Sequence, residues 1–163
     1  MSAGQIYVDL DGVLVNIAKG CGEVHCVPWH ELYKKDKTAF WQPINEIGPE
    51  FWVNLEWLPG SDRLWKFLLP FNPIILTAHS RHHSCKTGKL LWIYDNLGSQ
   101  AARQAIICYR REKINYAEVG AILIDDYYKN ISAWEKAGGV GILFKHVEQT
   151  IRQVTKEVTH ADH

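Results

Sequence analysis

Ile6-Tyr7-Val8-Asp9-Leu10-Asp11-Gly12-Val13-Leu14 decides the fold of this chain. An apolar run stops in two acids two residues apart, and a glycine follows. A short apolar run bounded by turn chemistry reads as a strand covered on both faces. Its terminal acids then lie at the carboxyl edge of a sheet, where open α/β sheets bind ligands. One carboxylate there can act as a nucleophile while the other moves a proton.

Four further apolar runs follow the first strand, 5–8. Residues 73–76 end in Thr77-Ala78, and 105–108 precede the basic cluster Arg110-Arg111-Glu112-Lys113. Residues 121–124 end in Asp125-Asp126, and 140–144 follow Gly138-Gly139. Helical spacing lies between them. Leu90, Leu91, Ile93, Tyr94 and Leu97 repeat along 89–97, with Gly98 as a C-cap; 131–137 leads into Gly138 in the same way. A helix over 61–69 takes Ser61 as its N-cap. Alternating strands and helices predict an α/β fold, a Rossmann-like parallel sheet wound by helices. Residues 16–60 break the rhythm and hold Trp29, Phe40, Trp41, Phe51, Trp52 and Trp57. So long a connection is not structureless in a compact domain. It reads as a small helical cap inserted after the first strand, with 1–15 and 61–163 forming the core.

The 163 residues suit one domain with such an insertion. Eighteen basic and eighteen acidic residues cancel, which argues against a general polyanion binder, so no polymeric nucleic acid is expected as partner. No apolar run reaches the roughly 18 residues of a membrane helix. Asp9 and Asp11 interrupt any signal-like N-terminal stretch, so a cytoplasmic location is the expectation. The four cysteines are then read as reduced thiols. Two groups, Cys21, His25, Cys26 and His30, and His79, His82, His83 and Cys85, read as packing and loop residues rather than zinc ligands. The cap aromatics, if exposed, are compatible with a homodimer.

The strand ends carry the chemistry. Asp9 and Asp11 end the first strand, Thr77 the second, and Asp125 and Asp126 the fourth. A parallel sheet brings these ends to one edge. Four carboxylates together repel unless a cation neutralises them. All-oxygen ligands favour a hard ion, so Asp9, Asp11, Asp125 and Asp126 are the expected Mg²⁺ ligands, with a substrate phosphate completing the shell.

This order of motifs resembles the haloacid dehalogenase superfamily of phosphatases. The motifs stand here as Asp9-Leu10-Asp11-Gly12-Val13-Leu14, Ile74-Ile75-Leu76-Thr77, Lys113, and Ile122-Leu123-Ile124-Asp125-Asp126. Within it, 51–60, Phe40-Trp41, and Lys89-Leu90-Leu91-Trp92 running to Gly98 resemble the 5'(3')-deoxyribonucleotidases. Where that family has Ser-Pro after its threonine, this chain has Ala78-His79; where it has a cap phenylalanine, this chain has Ile17. The resemblance implies a Mg²⁺-dependent phosphomonoesterase acting on nucleoside monophosphates. Asp9 would be the nucleophile and Asp11 the proton carrier. The metal would be held by the Asp9 carboxylate, the Asp11 carbonyl and an acid of Asp125-Asp126. Thr77, Ala78, Lys113 and Lys89 would hold the phosphate. Ile17, Phe40, Trp41, Trp52 and Arg111 would contact the rest of the substrate. The dehalogenases lack the acid at the Asp11 position, so its presence points to phosphate esters. Alternatives are a sugar phosphate or other small phosphate ester as substrate, or a nucleotide-binding module without catalysis.

Overall fold

The computed structural model describes residues 4–160. Across them the chain runs β1 (Ile6–Val8), α1 (Ile17–Val24), α2 (Trp29–Lys35), α3 (Lys37–Ile47), α4 (Pro49–Val53), α5 (Ser61–Leu68), β2 (Ile74–Ala78), α6 (His83–Leu97), α7 (Ser99–Gln104), β3 (Ile106–Cys108), β4 (Ile122–Asp125), α8 (Tyr128–Lys136), β5 (Val140–Leu143) and α9 (Val147–His160). Short 3-10 turns cover Leu69–Phe71 and Arg110–Tyr116. The strands form one parallel sheet in the order β3-β2-β1-β4-β5. Every apolar run expected to be a strand is one. None of the described helices is long and apolar enough to cross a membrane.

The unbroken apolar character of the strands follows from two covered faces. Ile6 and Val8 of β1, with Ile122 and Ile124 of β4, enter the larger core beneath α5 and α9. Tyr7 and Leu123, between them in sequence, enter a second core with Leu76, Ile131 and Trp134 under α8. The chain leaves β1 toward β2 and β3, then returns across to β4 and β5. The direction of winding therefore reverses around β1, which opens a crevice at the carboxyl ends of β1, β2 and β4.

Immediately after β1 the chain turns tightly. Leu10 C=O accepts from the N–H groups of Val13, Leu14 and Val15, and Gly12 takes φ of 75°. A Cβ at Gly12 would collide with the Asp126 carboxylate, so glycine is needed here for space as well as for φ. Asn16 N donates to Glu56 O and Leu58 N to Leu14 O, which ties together the outgoing and returning ends of the stretch between β1 and α5. That stretch is helical: α1 to α4 bury Cys21, Phe40, Ile44, Phe51 and Trp52 in the same core cluster as β1. α4 lies against α6, where Gly88 admits the Pro49 carbonyl and the Trp52 side chain; any Cβ there would meet both. Trp92 of α6 donates from Nε1 to Leu55 O at 2.8 Å, holding the returning segment to the same helix.

Two expectations change. Gly60, at φ of 81°, caps α5; Ser61 is the first helical residue, and its hydroxyl donates to Val13 O at 2.5 Å. The hydroxyl thus joins α5 to the turn after β1 instead of capping its own helix. The tryptophans at 29, 41, 52 and 57 are buried or half-buried. Among the described residues these four tryptophans form no exposed aromatic face.

Candidate active site

Asp9 leaves β1 with its N–H donated to Ile124 O at 2.9 Å, so the backbone ladder continues to the edge of the site. One of its carboxylate oxygens accepts from Leu10 N at 2.8 Å and lies 3.1 Å from Lys113 Nζ. Lys113 also donates to Asp125 Oδ2 at 2.8 Å and therefore joins the ends of β1 and β4. It sits in the 3-10 turn after β3, and its ammonium is buried. Burial alone would lower its pKa; the charges of Asp9 and Asp125 outweigh that and raise it, so it stays protonated.

Asp125 is fully buried, and both its oxygens are in use. Oδ1 accepts from Tyr127 N at 2.8 Å; Oδ2 accepts from Lys113 and from Asn130 Nδ2 at 2.9 Å. Asp126 is exposed on the cavity wall. One oxygen each from Asp9, Asp125 and Asp126 fall within 4.8 Å of one another. Desolvation, followed by the charges of Asp9, Asp125 and Asp11, pushes the Asp126 carboxyl up to about 7. Asp125 is raised too, by burial first and then by Asp9. Carboxylates this reluctant to ionise mark a place short of positive charge. With all-oxygen donors the set fits a hard divalent cation.

Asp11 pairs with the second buried lysine. Lys89 Nζ donates to Asp11 Oδ2 at 2.6 Å, to Thr77 Oγ1 at 3.1 Å and to Ala78 O at 2.5 Å. These acceptors take all three ammonium protons. Lys89 is 2% exposed, and it holds Asp11 and the end of β2 together. Burial raises the Asp11 carboxyl, with Lys89 opposing and Asp9 reinforcing. Its other oxygen, Oδ1, is buried and has no hydrogen-bond partner among the described residues. A carboxyl inclined to keep its proton, with one oxygen free, suits a general acid.

These groups open into a cavity of about 1260 Å³ walled by the sheet edge and by α1 to α4. Asp9, Asp11, Lys113, Lys89, Ala78 and Asp126 line it, as do Ile17, Phe40, Trp41 and Trp52. Thr77 and Asp125 lie just behind the wall, fully buried. Phe40 and Trp52 are only 3% and 2% exposed and serve mainly as core, whereas Trp41 is half-buried and presents more surface. Arg111 falls outside this cavity, in a neighbouring one of about 500 Å³. The reason is the 3-10 turn: residues three apart eclipse, so Arg110 shares the side of Lys113 and Arg111 does not. Trp29, Tyr33, Asn45, Arg81 and Arg110 also line the large cavity. Trp29 and Tyr33 carry a helical i, i+4 spacing and Arg110 belongs to the basic cluster before Lys113; Asn45 follows Trp41 by one turn of α3, and Arg81 is placed by the loop after β2.

No family model matches the chain, and no curated protein matches it. Solved structures do. A hydrolase from Streptococcus pneumoniae TIGR4 aligns with a TM-score of 0.56 at 14% identity, covering 96% of this chain and 100% of that one. An L-2-haloacid dehalogenase from Xanthobacter autotrophicus, with chloropropionic acid covalently bound, aligns at 0.52 and 8% identity, covering 85% and 76%. A phosphonoacetaldehyde hydrolase-like protein from Oleispira antarctica aligns at 0.51 and 8% identity, covering 99% and 84%. At such identities the likeness is one of fold, and the fold of this chain is that of the haloacid dehalogenase-like hydrolases.

Proposed function

We propose that this chain is a metal-dependent phosphomonoesterase that takes nucleoside monophosphates, deoxyribonucleotides foremost. The observation that carries the reading is the division of labour between two carboxylates two residues apart. Asp9 is bridged by Lys113 to the acids of β4, while Asp11 is held apart by Lys89 with a raised pKa and a free oxygen. Asp9 attacks phosphorus, the ester P–O bond breaks, and Asp11 gives its proton to the departing alkoxide oxygen. Asp11, now a carboxylate, accepts a proton from the water that attacks the aspartyl-phosphate; inorganic phosphate leaves and Asp9 is restored. Lys113 balances charge on the transferring oxygens, and Thr77, whose oxygen accepts from Lys89, keeps its own O–H free to donate.

A divalent cation, with Mg²⁺ as the natural candidate, would be held by the Asp9 carboxylate, the Asp11 carbonyl and Asp126. Asp125, its oxygens already occupied, orients Lys113 and Asn130. Bound there, the ion supplies charge neutralisation for the phosphoryl group. On the cap side, Trp41 offers a stacking face for a base. A sugar phosphate would leave that aromatic face unused, which favours a nucleotide.

The test is phosphate release across ribo- and deoxyribonucleoside monophosphates, with sugar phosphates as controls. Asp9→Asn and metal chelation are each expected to abolish turnover, by at least about a thousandfold for the variant. Substantial hydrolysis by Asp9→Asn would sink the mechanism; equal use of sugar phosphates would sink the substrate class.

A further inference from the structure

We infer a second anion site at the mouth of the cavity, built by Arg81, Arg110 and Arg111, which receives a second phosphate carried by the same substrate. The inference rests on the phosphomonoesterase reading and narrows its substrate to diphosphorylated esters. The smaller cavity is lined by those three arginines and Tyr109, with no acid in its lining. Arg81, Tyr109 and Arg110 also line the large cavity, so the two spaces join along a shared wall. One ligand can therefore touch Asp9 with one phosphate and the arginines with another.

The sheet explains why the arginines meet. Ala78 of β2 is in register with Cys108 of β3, and His79 N donates to Cys108 O at 3.1 Å. The two loops leave the sheet side by side, one carrying Arg81 and the other Arg110 and Arg111. Aromatic faces position two of the guanidinium groups: Arg110 lies 4.7 Å from the Tyr127 ring centroid and Arg111 5.6 Å from that of Tyr109. The nearest acid in sequence, Glu112, is turned away, accepting from Tyr109 N at 2.8 Å. Among the described residues none of the three arginines forms an ion pair, although seven other basic–acidic residue pairings elsewhere are within reach of one another.

Three unpaired guanidinium groups in a chain of zero net charge await an anion. The phosphate at Asp9 is already answered by Lys113 and the proposed cation, so the rim charge is left for a separate group. Guanidinium forks match phosphate oxygens in geometry as well as charge. The three arginines share one small cavity, a space suited to a single phosphate rather than to a nucleic-acid strand.

The experiment compares a deoxyribonucleoside 5'-monophosphate with its 3',5'-bisphosphate in wild type and in Arg81→Gln/Arg110→Gln. Wild type is expected to favour the bisphosphate in kcat/KM by about tenfold or more, and the double variant to bring that ratio near one. Equal use of both compounds by wild type, or an unchanged preference in the double variant, overturns the site. A terminally phosphorylated oligonucleotide preferred over the bisphosphate also overturns it and hands the patch to a strand. The same ligand pair is titrated calorimetrically onto Asp9→Asn and onto Asp9→Asn carrying the arginine changes. If wild type hydrolyses no ester yet the bisphosphate binds more tightly through the arginines, the anion site stands and the esterase reading falls. An arginine-independent affinity removes the anion site whatever the turnover.

Discussion

The sharpest consequence of the acid cluster is a pH-dependent metal affinity. Asp126 titrates at about 7 against an ordinary 3.8. In the metal-free protein the folded state thus holds this proton more tightly than the unfolded chain. The resulting stability is fully present below pH 3.8 and is lost as pH rises through about 7. A cation reverses the sign, because it needs Asp126 as carboxylate and must displace the proton. Well below pH 7 the affinity for Mg²⁺ then falls about tenfold per unit, and between pH 7, where Asp126 is half ionised, and pH 5 it falls about fiftyfold. Asp125 and Asp11, also raised, make the fall steeper if they too ionise on binding. The assay is calorimetric unfolding with Mg²⁺ or chelator at a series of pH values, wild type beside Asp126→Asn. Mg²⁺ should raise Tm at pH 8 and lose most of that effect at pH 5, and Asp126→Asn should respond little at either. A Mg²⁺ stabilisation equal at both pH values, or one surviving in Asp126→Asn, would refute this account of the cluster.

Lys89→Met removes three hydrogen bonds and leaves Asp11 beside a buried apolar stem; a loss of about 3–5 kcal/mol in urea unfolding at neutral pH is the upper expectation, less where Asp11 takes up a proton. Since Lys89 lowers the Asp11 pKa, its removal should also move the alkaline limb of the pH–rate profile to higher pH. Trp41→Ala should cost about 1–3 kcal/mol of transition-state binding for nucleotides, read as kcat/KM, and leave sugar phosphates nearly unaffected. Gly88→Ala forces a Cβ against Pro49 O and Trp52 Cβ, so α4 must move from α6, at a cost of about 1–3 kcal/mol in the same unfolding assay.

How far the sequence reveals this molecule depends on whether a feature is local. Strands covered on both faces appear as unbroken apolar runs, so all five were legible, and their terminal acids followed because parallel strands end on one edge. Lys89 was harder. Helical periodicity gives a polar residue on α6 no reason to point inward; its burial arises because α6 runs past the end of β2, where Asp11, Thr77 and Ala78 C=O await a donor. Arg81 and Arg110 are 29 residues apart, and only the β2–β3 register brings them together. The Ser61 hydroxyl looked like a cap because serine favours that position; the structure instead uses it across the chain, on Val13 O.

The two buried lysines show why the acids cannot be interchanged. Asp9, Asp11, Asp125 and Asp126 would bring four negative charges when ionised, and Lys89 and Lys113 return two. The balance of two matches one divalent cation, but placement matters more than the sum. Lys113 bridges Asp9 and Asp125, so it draws the nucleophile toward the metal-binding side and leaves Asp126 as the acid with no cation of its own. Lys89 pairs with Asp11 alone and anchors it to β2, on the other side of β1. Were Lys89 to serve the phosphate, Asp11 would lose the one ion pair it makes among the described residues and its oxygens would compete for the metal. With Lys89 committed, Asp11 stays out of the metal set except through its backbone, and its side chain remains free to carry a proton. Swapping the acids by Asp9→Asn or Asp11→Asn should therefore produce different defects: the first removes the bond-forming oxygen, the second spares phosphoryl transfer from esters whose leaving group needs no proton. A stoichiometric burst of aryl alcohol from an activated aryl phosphate, kept by Asp11→Asn with slow turnover after it and lost by Asp9→Asn, is the outcome this arrangement demands; loss of the burst in both would mean that the lysines do not separate the two roles.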